Sequence, residues 1–222
     1  NWEVMLKAAK EKTSTKCAQV AGLIADGQSI EDVNAEFPGF VLHNLRKIKA
    51  YQAWLASKKI WEVPKDKWEG ALAVVSEDEV SLRIAKWLNS NFKATREPRQ
   101  KQLWIWGPTG TGKTHLIMQL NRFFFGYSVP YDSGWDDSYC DKYEFAYLDE
   151  FHGQRKITWL NQFVEGAPLP MRRRGLAPYV KQKNIPVIVL ANSSIHDTYK
   201  NANLLRIEAL EARFIEVRTE RS

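Results

Sequence analysis

The chain has 222 residues, 44% of them hydrophobic and 26% charged, with a formal net charge of +6 and an isoelectric point near 9.2. That length holds one α/β domain and a smaller helical one, and the apolar share excludes a chain without a packed core. The basic balance favours a polyanionic partner, because a positive surface raises the local concentration of phosphates.

Cys17 and Cys140 stand far apart, with no CxxC spacing, which excludes a disulfide framework or zinc site and points to a reducing compartment. No stretch is apolar for long enough to cross a bilayer, and Asn1-Trp2-Glu3-Val4 lacks the basic start and apolar core of a signal peptide. A soluble, intracellular chain with no membrane partner is expected. Its start without Met, on a helix-like pattern, suits a piece of a longer protein.

From Trp2 to Lys59 apolar residues recur at three- and four-residue spacing, as in Val20, Leu23 and Ile24, or Leu42, Leu45, Ile48 and Tyr51. Ser29 and Asp32 predict a capping box at the start of a new helix, and Phe37-Pro38-Gly39 predicts a break. Residues 1–60 therefore read as a small bundle of three or four helices. Trp61 to Lys67, with Pro64 and several charges, reads as a linker. Glu77 to Phe92 predicts an amphipathic helix with Val80, Ile84, Trp87 and Leu88 on one face, so that 61–100 leads into a second domain over 101–222.

Leu103-Trp104-Ile105-Trp106 predicts a buried strand, and Lys113 to Phe125 a helix. Between them lies Gly107-Pro108-Thr109-Gly110-Thr111-Gly112-Lys113-Thr114, in the strand, loop, helix order of a phosphate-binding loop. Glycines there let backbone N–H groups converge on phosphates at a helix N-terminus. Lys113 is expected on the β/γ-phosphates and the Thr114 hydroxyl on Mg²⁺. The implied substrate and cofactor are ATP and Mg²⁺.

Phe145-Ala146-Tyr147-Leu148 and Pro186 to Leu190 predict further strands, giving a P-loop α/β fold whose central sheet is mainly parallel, with helices on both faces. Asp149 and Glu150, at the end of the first of these, are placed beside the loop if the two strands are neighbours. Asp149 is then a metal ligand and Glu150 activates the attacking water. Asn192, after the other strand, offers an amide to the γ-phosphate and the water; a turn or N-cap role is the plainer reading of Asn192-Ser193-Ser194.

Arg172, Arg173 and Arg174, followed by Lys181 and Lys183, form a basic segment able to grip a nucleic-acid backbone if it is a hairpin or loop, although such runs are ordinarily solvated faces. Arg206 and Arg213 fall in a helix-like run from Leu204 to Ile215. Tyr139-Cys140-Asp141-Lys142 resembles a YCxK nuclease motif, but no His-apolar-His pair accompanies it. The match reads as coincidence. Trp87, Trp104 and Trp106 lie on apolar faces or strands and read as core.

In order, Gly107 to Thr114, Tyr147-Leu148-Asp149-Glu150-Phe151, Arg172-Arg173-Arg174-Gly175 and Val189-Leu190-Ala191-Asn192 resemble the Walker A, Walker B, B′ and C motifs of superfamily 3 helicases. Within that group the chain is similar to the ATPase part of replication initiators (Reps) of circular single-stranded DNA viruses, the circovirus-like kind. The resemblance implies an AAA+-like helicase of rolling-circle replication, working in the host nucleus. It also implies a hexameric ring on single-stranded DNA, with the N-terminal helices as an oligomerisation collar and Arg213 as an arginine finger supplied to the neighbouring subunit. The family's nuclease domain has no counterpart here, Walker B reads Asp-Glu where Asp-Asp is frequent, and the B′ position carries three arginines where Lys-Gly-Gly is more familiar. An RNA-directed helicase, a small-molecule kinase with Arg172–Arg174 as a lid, and an ATP-gated assembly module are the other readings.

Overall fold

The structure is a computed structural model that describes residues 15–59, 61, 64–70, 78–92, 95–130, 134–175 and 177–221. The helical pattern expected over residues 2–14 lies outside them. The chain divides into two compact units, Asn1–Pro64 and Lys65–Ser222.

In the first unit, α1 (residues 15–25) is followed by α2 (Ile30–Glu36) and α3 (Pro38–Lys59). Ser29 caps α2 as its spacing predicts: its Oγ accepts from Asp32 N at 3.1 Å and donates to the Asp32 carboxylate at 2.7 Å. Phe37-Pro38-Gly39 makes the predicted break: α2 ends at Glu36 with Phe37 as its C-cap, and α3 starts at Pro38, where a helix needs no N–H. Val20, Ile24, Val33, Val41 and Ile48 make the core. Of the periodic set Leu42, Leu45, Ile48 and Tyr51, Ile48 and Tyr51 lie on the buried face, joined by Val41, while Leu42 and Leu45 are exposed.

The second unit opens with Lys65–Trp68, of which Lys65 to Lys67 read as linker; the segment is held against the end of α5 (Lys113–Phe123). Lys65 Nζ donates to Asn121 O at 2.6 Å and Asp66 N to Arg122 O at 3.0 Å, while Trp68 stands edge-on to Phe123 and Phe124. Next comes α4 (Glu79–Asn91), capped by the Asp78 carboxylate.

Five strands form one fully parallel sheet in the order β2 (Gly126–Ser128), β3 (Phe145–Phe151), β6 (Val187–Ala191), β1 (Gln102–Trp106) and β7 (Phe214–Arg218). Strand periodicity sorts the core. Leu103, Ile105, Ile188 and Leu190 face α4 and α5 on one side. On the other, Trp104, Val187 and Val189 face α6 (Ile157–Phe163), α7 (Ile195–Thr198) and α8 (Leu204–Glu211). The run expected to be helical to Ile215 therefore splits: α8 ends at Glu211, and Ile215 belongs to β7. β4 (Leu169–Met171) and β5 (Tyr179–Lys181) pair as a separate antiparallel hairpin.

At the strands' N-terminal end, the Gln102 side chain accepts from Val187 N at 2.8 Å and from the buried Arg96 at 2.9 Å. Burial draws the Arg96 guanidinium down to about 10.

Candidate nucleotide-binding cleft

The loop from Gly107 to Thr114 leaves β1 at the C-terminal end of the sheet, where open α/β sheets place their ligands. Gly107 is fixed by what surrounds it: its φ is +148°, and a Cβ there would lie 2.2 Å from Thr219 O. Gly112 caps α5 at a φ of 82°. Thr219 ties the chain after β7 to the loop, its N–H donating to Trp106 O at 2.7 Å and its hydroxyl standing 2.9 Å from that of Thr111.

Lys113 folds back over the loop, donating to Gly107 O at 2.8 Å and Pro108 O at 2.7 Å. A triphosphate offers the same amine better acceptors in the same place. Partial burial lowers the Lys113 amine from its ordinary value, and the charge of Asp149 partly restores it.

β3 is not the neighbour of β1. β6 lies between them, with Ala191 in register with Trp106 on one side and Phe151 on the other. Gly107, Asn192 and His152 therefore leave three adjacent strands at one level, and Asn192 stands between the loop and the acidic strand. Thr114 Oγ1 nevertheless reaches Asp149, donating to Oδ1 at 3.2 Å. Two oxygens bound cis to Mg²⁺ at 2.0–2.1 Å are about 2.9 Å apart, so this pair fits the ion with little movement. Among the described residues no three His, Cys, Asp or Glu side chains converge on a metal position. The remaining ligands would be phosphate oxygens and water, as is usual for Mg²⁺.

Asp149 and Glu150 lie within β3. Successive strand residues point to opposite faces, yet both line the cleft. The register explains it: Leu148 pairs with Val189 and Phe151 with Ala191, so two residues of β3 stand opposite Leu190 alone. This is a β-bulge, and Glu150 adopts a φ of 49° within it.

The cleft is about 680 Å³ and gathers Gly110, Lys113, Thr114, Asp149, Glu150 and Asn192. His115, on the first turn of α5 beside Thr114, also lines it, as do His152 and Gln154, which the turn after the bulge brings there and no motif spacing marks.

The basic segment forms the β4–β5 hairpin with residues 172–178 as its loop. It enters β6 at the strand end opposite Asn192, and its base is pinned there by Asn184, whose amide donates to Glu97 O at 2.8 Å. Its cations differ sharply. Arg172 is exposed, with no side-chain partner among the described residues. Arg173 donates to Tyr139 O at 2.7 Å and lies over the Tyr179 ring, and Arg174 pairs with Asp137 at 3.1 Å. Lys183 is exposed, bonded to Tyr143 O at 3.3 Å.

Lys181, expected to touch nucleic acid, is 1% exposed, with its amine 5.4 Å from the Phe163 ring centroid. Pairing of Lys181 with Leu169 turns both inward, and burial lowers the amine to about 8. It cannot contact a polyanion without unfolding the hairpin.

The YCxK-like segment has a structural use. Asp141 accepts from the backbone of Gln182 at 3.1 Å and from the hydroxyls of Tyr139 at 3.0 Å and Tyr179 at 3.2 Å. Desolvation would raise its carboxyl, but these bonds outweigh it and hold the group below its ordinary value.

Arg213 is in the turn between α8 and β7, at the end of the sheet remote from the loop. It donates to Ala209 O at 2.5 Å, stands 3.5 Å from Glu165, and keeps a buried Nε without a partner. A five-residue strand spans about 17 Å, so Arg213 cannot serve its own cleft. Arg206 is exposed on α8.

Among the described residues no helix is long and apolar enough to cross a membrane. No protein-family model and no curated protein sequence matches the chain. Among solved structures it is similar to a protein of Streptococcus pyogenes serotype M3 described as a primosome component, with 13% identity over 72% of this chain and 94% of that one and a TM-score of 0.46. The JCV helicase matches at 14% identity over 95% of this chain and 59% of that one, with a TM-score of 0.46. NtrX from Brucella abortus in complex with ADP matches at 13% over 78% of this chain and 42% of that one, with a TM-score of 0.40. Matches this distant distinguish no activity, and the function rests on the cleft itself.

Proposed function

We propose that the chain is a Mg²⁺-dependent ATP hydrolase that drives movement along single-stranded DNA, as the helicase portion of a rolling-circle replication initiator. The observation that carries the hydrolase reading is the Thr114–Asp149 contact at 3.2 Å beneath a P-loop, with Glu150 and Asn192 lining the same cleft.

Each residue has a distinct task. Backbone N–H groups of Gly110 to Thr114 hold the phosphates, and Lys113 moves from the loop carbonyls to the β/γ-phosphate oxygens. Thr114 and Asp149 hold Mg²⁺, which when bound offsets negative charge on the β- and γ-phosphates. Glu150 takes a proton from water as that water's oxygen bonds the γ-phosphorus, and the bond to the ADP oxygen breaks. The Asn192 amide, uncharged, orients the water without neutralising Glu150. Arg213 is remote from its own cleft, so its role as a finger requires a second copy, as in a ring such as a hexamer, and requires its side chain to leave Ala209 O and Glu165.

The hairpin supports a nucleic-acid partner through Arg172, Arg174 and Lys183. The arginine run argues against the kinase reading, since none of Arg172–Arg174 lines the cleft as a lid would.

The test is the ATP hydrolysis rate with and without single-stranded DNA, alongside Lys113→Ala and Arg213→Ala and across protein concentration. We expect DNA stimulation, a fall of about 100-fold or more in both variants, and specific activity that rises with assembly. Turnover indifferent to DNA and to Arg213→Ala would reject the motor and leave a stand-alone nucleotide hydrolase.

A further inference from the structure

Building on the hydrolase reading, we infer that Gln154 and His152 are positioning residues that lock the β3 bulge and so bring Glu150 into the cleft beside Asp149. In a regular strand Asp149 and Glu150 would point to opposite faces of the sheet, and only one could reach the nucleotide. The extra residue opposite Leu190 removes that conflict, at the cost of placing a glutamate at a φ of 49°. For a non-glycine residue this left-handed conformation is sterically unfavourable, so something must hold it.

The side chains that hold it come from the next turn. In the bulge the Glu150 carbonyl accepts from Gln154 Nε2 at 3.1 Å and lies 3.1 Å from His152 Nδ1. Gln154 closes the turn from the other side, its Oε1 accepting from His152 N at 2.9 Å, and its amide nitrogen is 2.8 Å from His152 Nδ1. A proton on Nδ1 is donated to Glu150 O; without it, Nδ1 accepts from Gln154.

The bulge is also fastened from its N-terminal side. Glu150 N donates to Asp149 Oδ1 at 2.9 Å, the same oxygen that accepts from Thr114. One chain of contacts thus runs from the P-loop helix through Asp149 and the Glu150 backbone to Gln154. Thr114 and Asp149 fix where the metal and phosphates lie; Gln154 and His152 fix where the water-activating carboxylate lies relative to them. Positioning of this kind acts on turnover more than on binding, because misplacement of about 1 Å at the reacting centre costs on the order of 100-fold in rate.

The test uses Gln154→Met, which keeps the side-chain length and removes both the donor and the acceptor, with His152→Ala beside it. Thermal unfolding gives a readout independent of activity. Gln154→Met should lower Tm by about 3 °C in the otherwise native chain. In a Glu150→Gly background it should lower Tm by half of that or less, because glycine takes the left-handed conformation unaided. In ATP hydrolysis, Gln154→Met should lower kcat about tenfold, within the reach of such misplacement, with KM changed less than twofold, and add nothing in a Glu150→Gln background. Equal Tm shifts in both backgrounds, or a kcat that Gln154→Met leaves unchanged, would overturn the lock. Absence of hydrolysis by the native chain, with the Tm coupling present, would instead overturn the hydrolase reading and leave the lock standing.

Discussion

The two ends of β6 carry two polar regions built by opposite means. At the C-terminal end, Lys113 bonds only to the loop it belongs to, and Thr114, Glu150 and Asn192 are exposed and face the open cleft. At the N-terminal end, the hairpin consumes most of its own charge: Arg173 is taken up by Tyr139 and Tyr179, Arg174 by Asp137, and Lys181 by the core. Five cations in the sequence leave Arg172 and Lys183 as the most available, with Arg174 recoverable because its ion pair is exposed and weak. A polar run thus says little about a binding surface until its internal partners are known, whereas a P-loop states its own geometry.

The largest effect expected from a single methyl group separates the two regions. Gly107→Ala places a Cβ 2.2 Å from a backbone oxygen of Thr219, at a φ of +148°. Backbone cannot move aside as a side-chain tip can, so the change should destabilise the protein by about 3 kcal/mol or more. The same change at Gly175, in the hairpin loop, meets no atom within 4 Å and strains only its φ of 66°. It should cost about 1 kcal/mol. Urea unfolding of both variants checks the contrast; equal losses would mean that Thr219 yields and the loop is not braced.

A smaller effect probes the buried cation. The Lys181 amine titrates near 8 in the folded chain, against an ordinary 10.5. Below pH 8 it is protonated in both states and the full cost of burying its charge is present. Between 8 and 10.5 the unfolded chain binds a proton that the folded chain has released, so stability rises with pH through that window. Lys181→Met should stabilise the protein by on the order of 1–3 kcal/mol at pH 7. It should also flatten the rise between pH 8 and 9.5. Parallel pH slopes for the native chain and the variant would sink this account.

These residues also show what sequence could and could not reveal. The phosphate loop was legible because its eight residues are contiguous and its geometry is local. Asp149, Glu150 and Asn192 were legible as residue types at strand ends, but β6 lying between β1 and β3 was not, because strand order is set by pairing far along the chain. The bulge was hidden for the same reason: it exists only in the register of β3 against β6. Lys181 misled because Tyr179-Val180-Lys181 inverts the usual pattern, with Val180 43% exposed and its charged neighbour buried. Only the pairing of Lys181 with Leu169 gives the direction. β7 was absorbed into the preceding helix because Ile215 continues the apolar spacing of α8, and only the β1 partnership separates them.

The smallest effect is the most diagnostic for the hairpin. If Arg172 meets phosphate, Arg172→Ala should weaken single-stranded DNA binding a few-fold at 100 mM salt and lower the slope of log K against log salt by about 0.7, the value for one contact to a single strand. Lys183→Ala should behave alike, its amine held only by a carbonyl at 3.3 Å. Arg174→Ala should change the slope by less, because the residue must first leave Asp137, and Lys181→Met should leave the slope unchanged. That ordering follows from exposure and partners, not from sequence position, in which the four are near-equivalent. If all four lowered the slope equally, the hairpin would have to refold on DNA. If none did, the basic run would be a solvated face and the DNA contact would lie elsewhere in the chain.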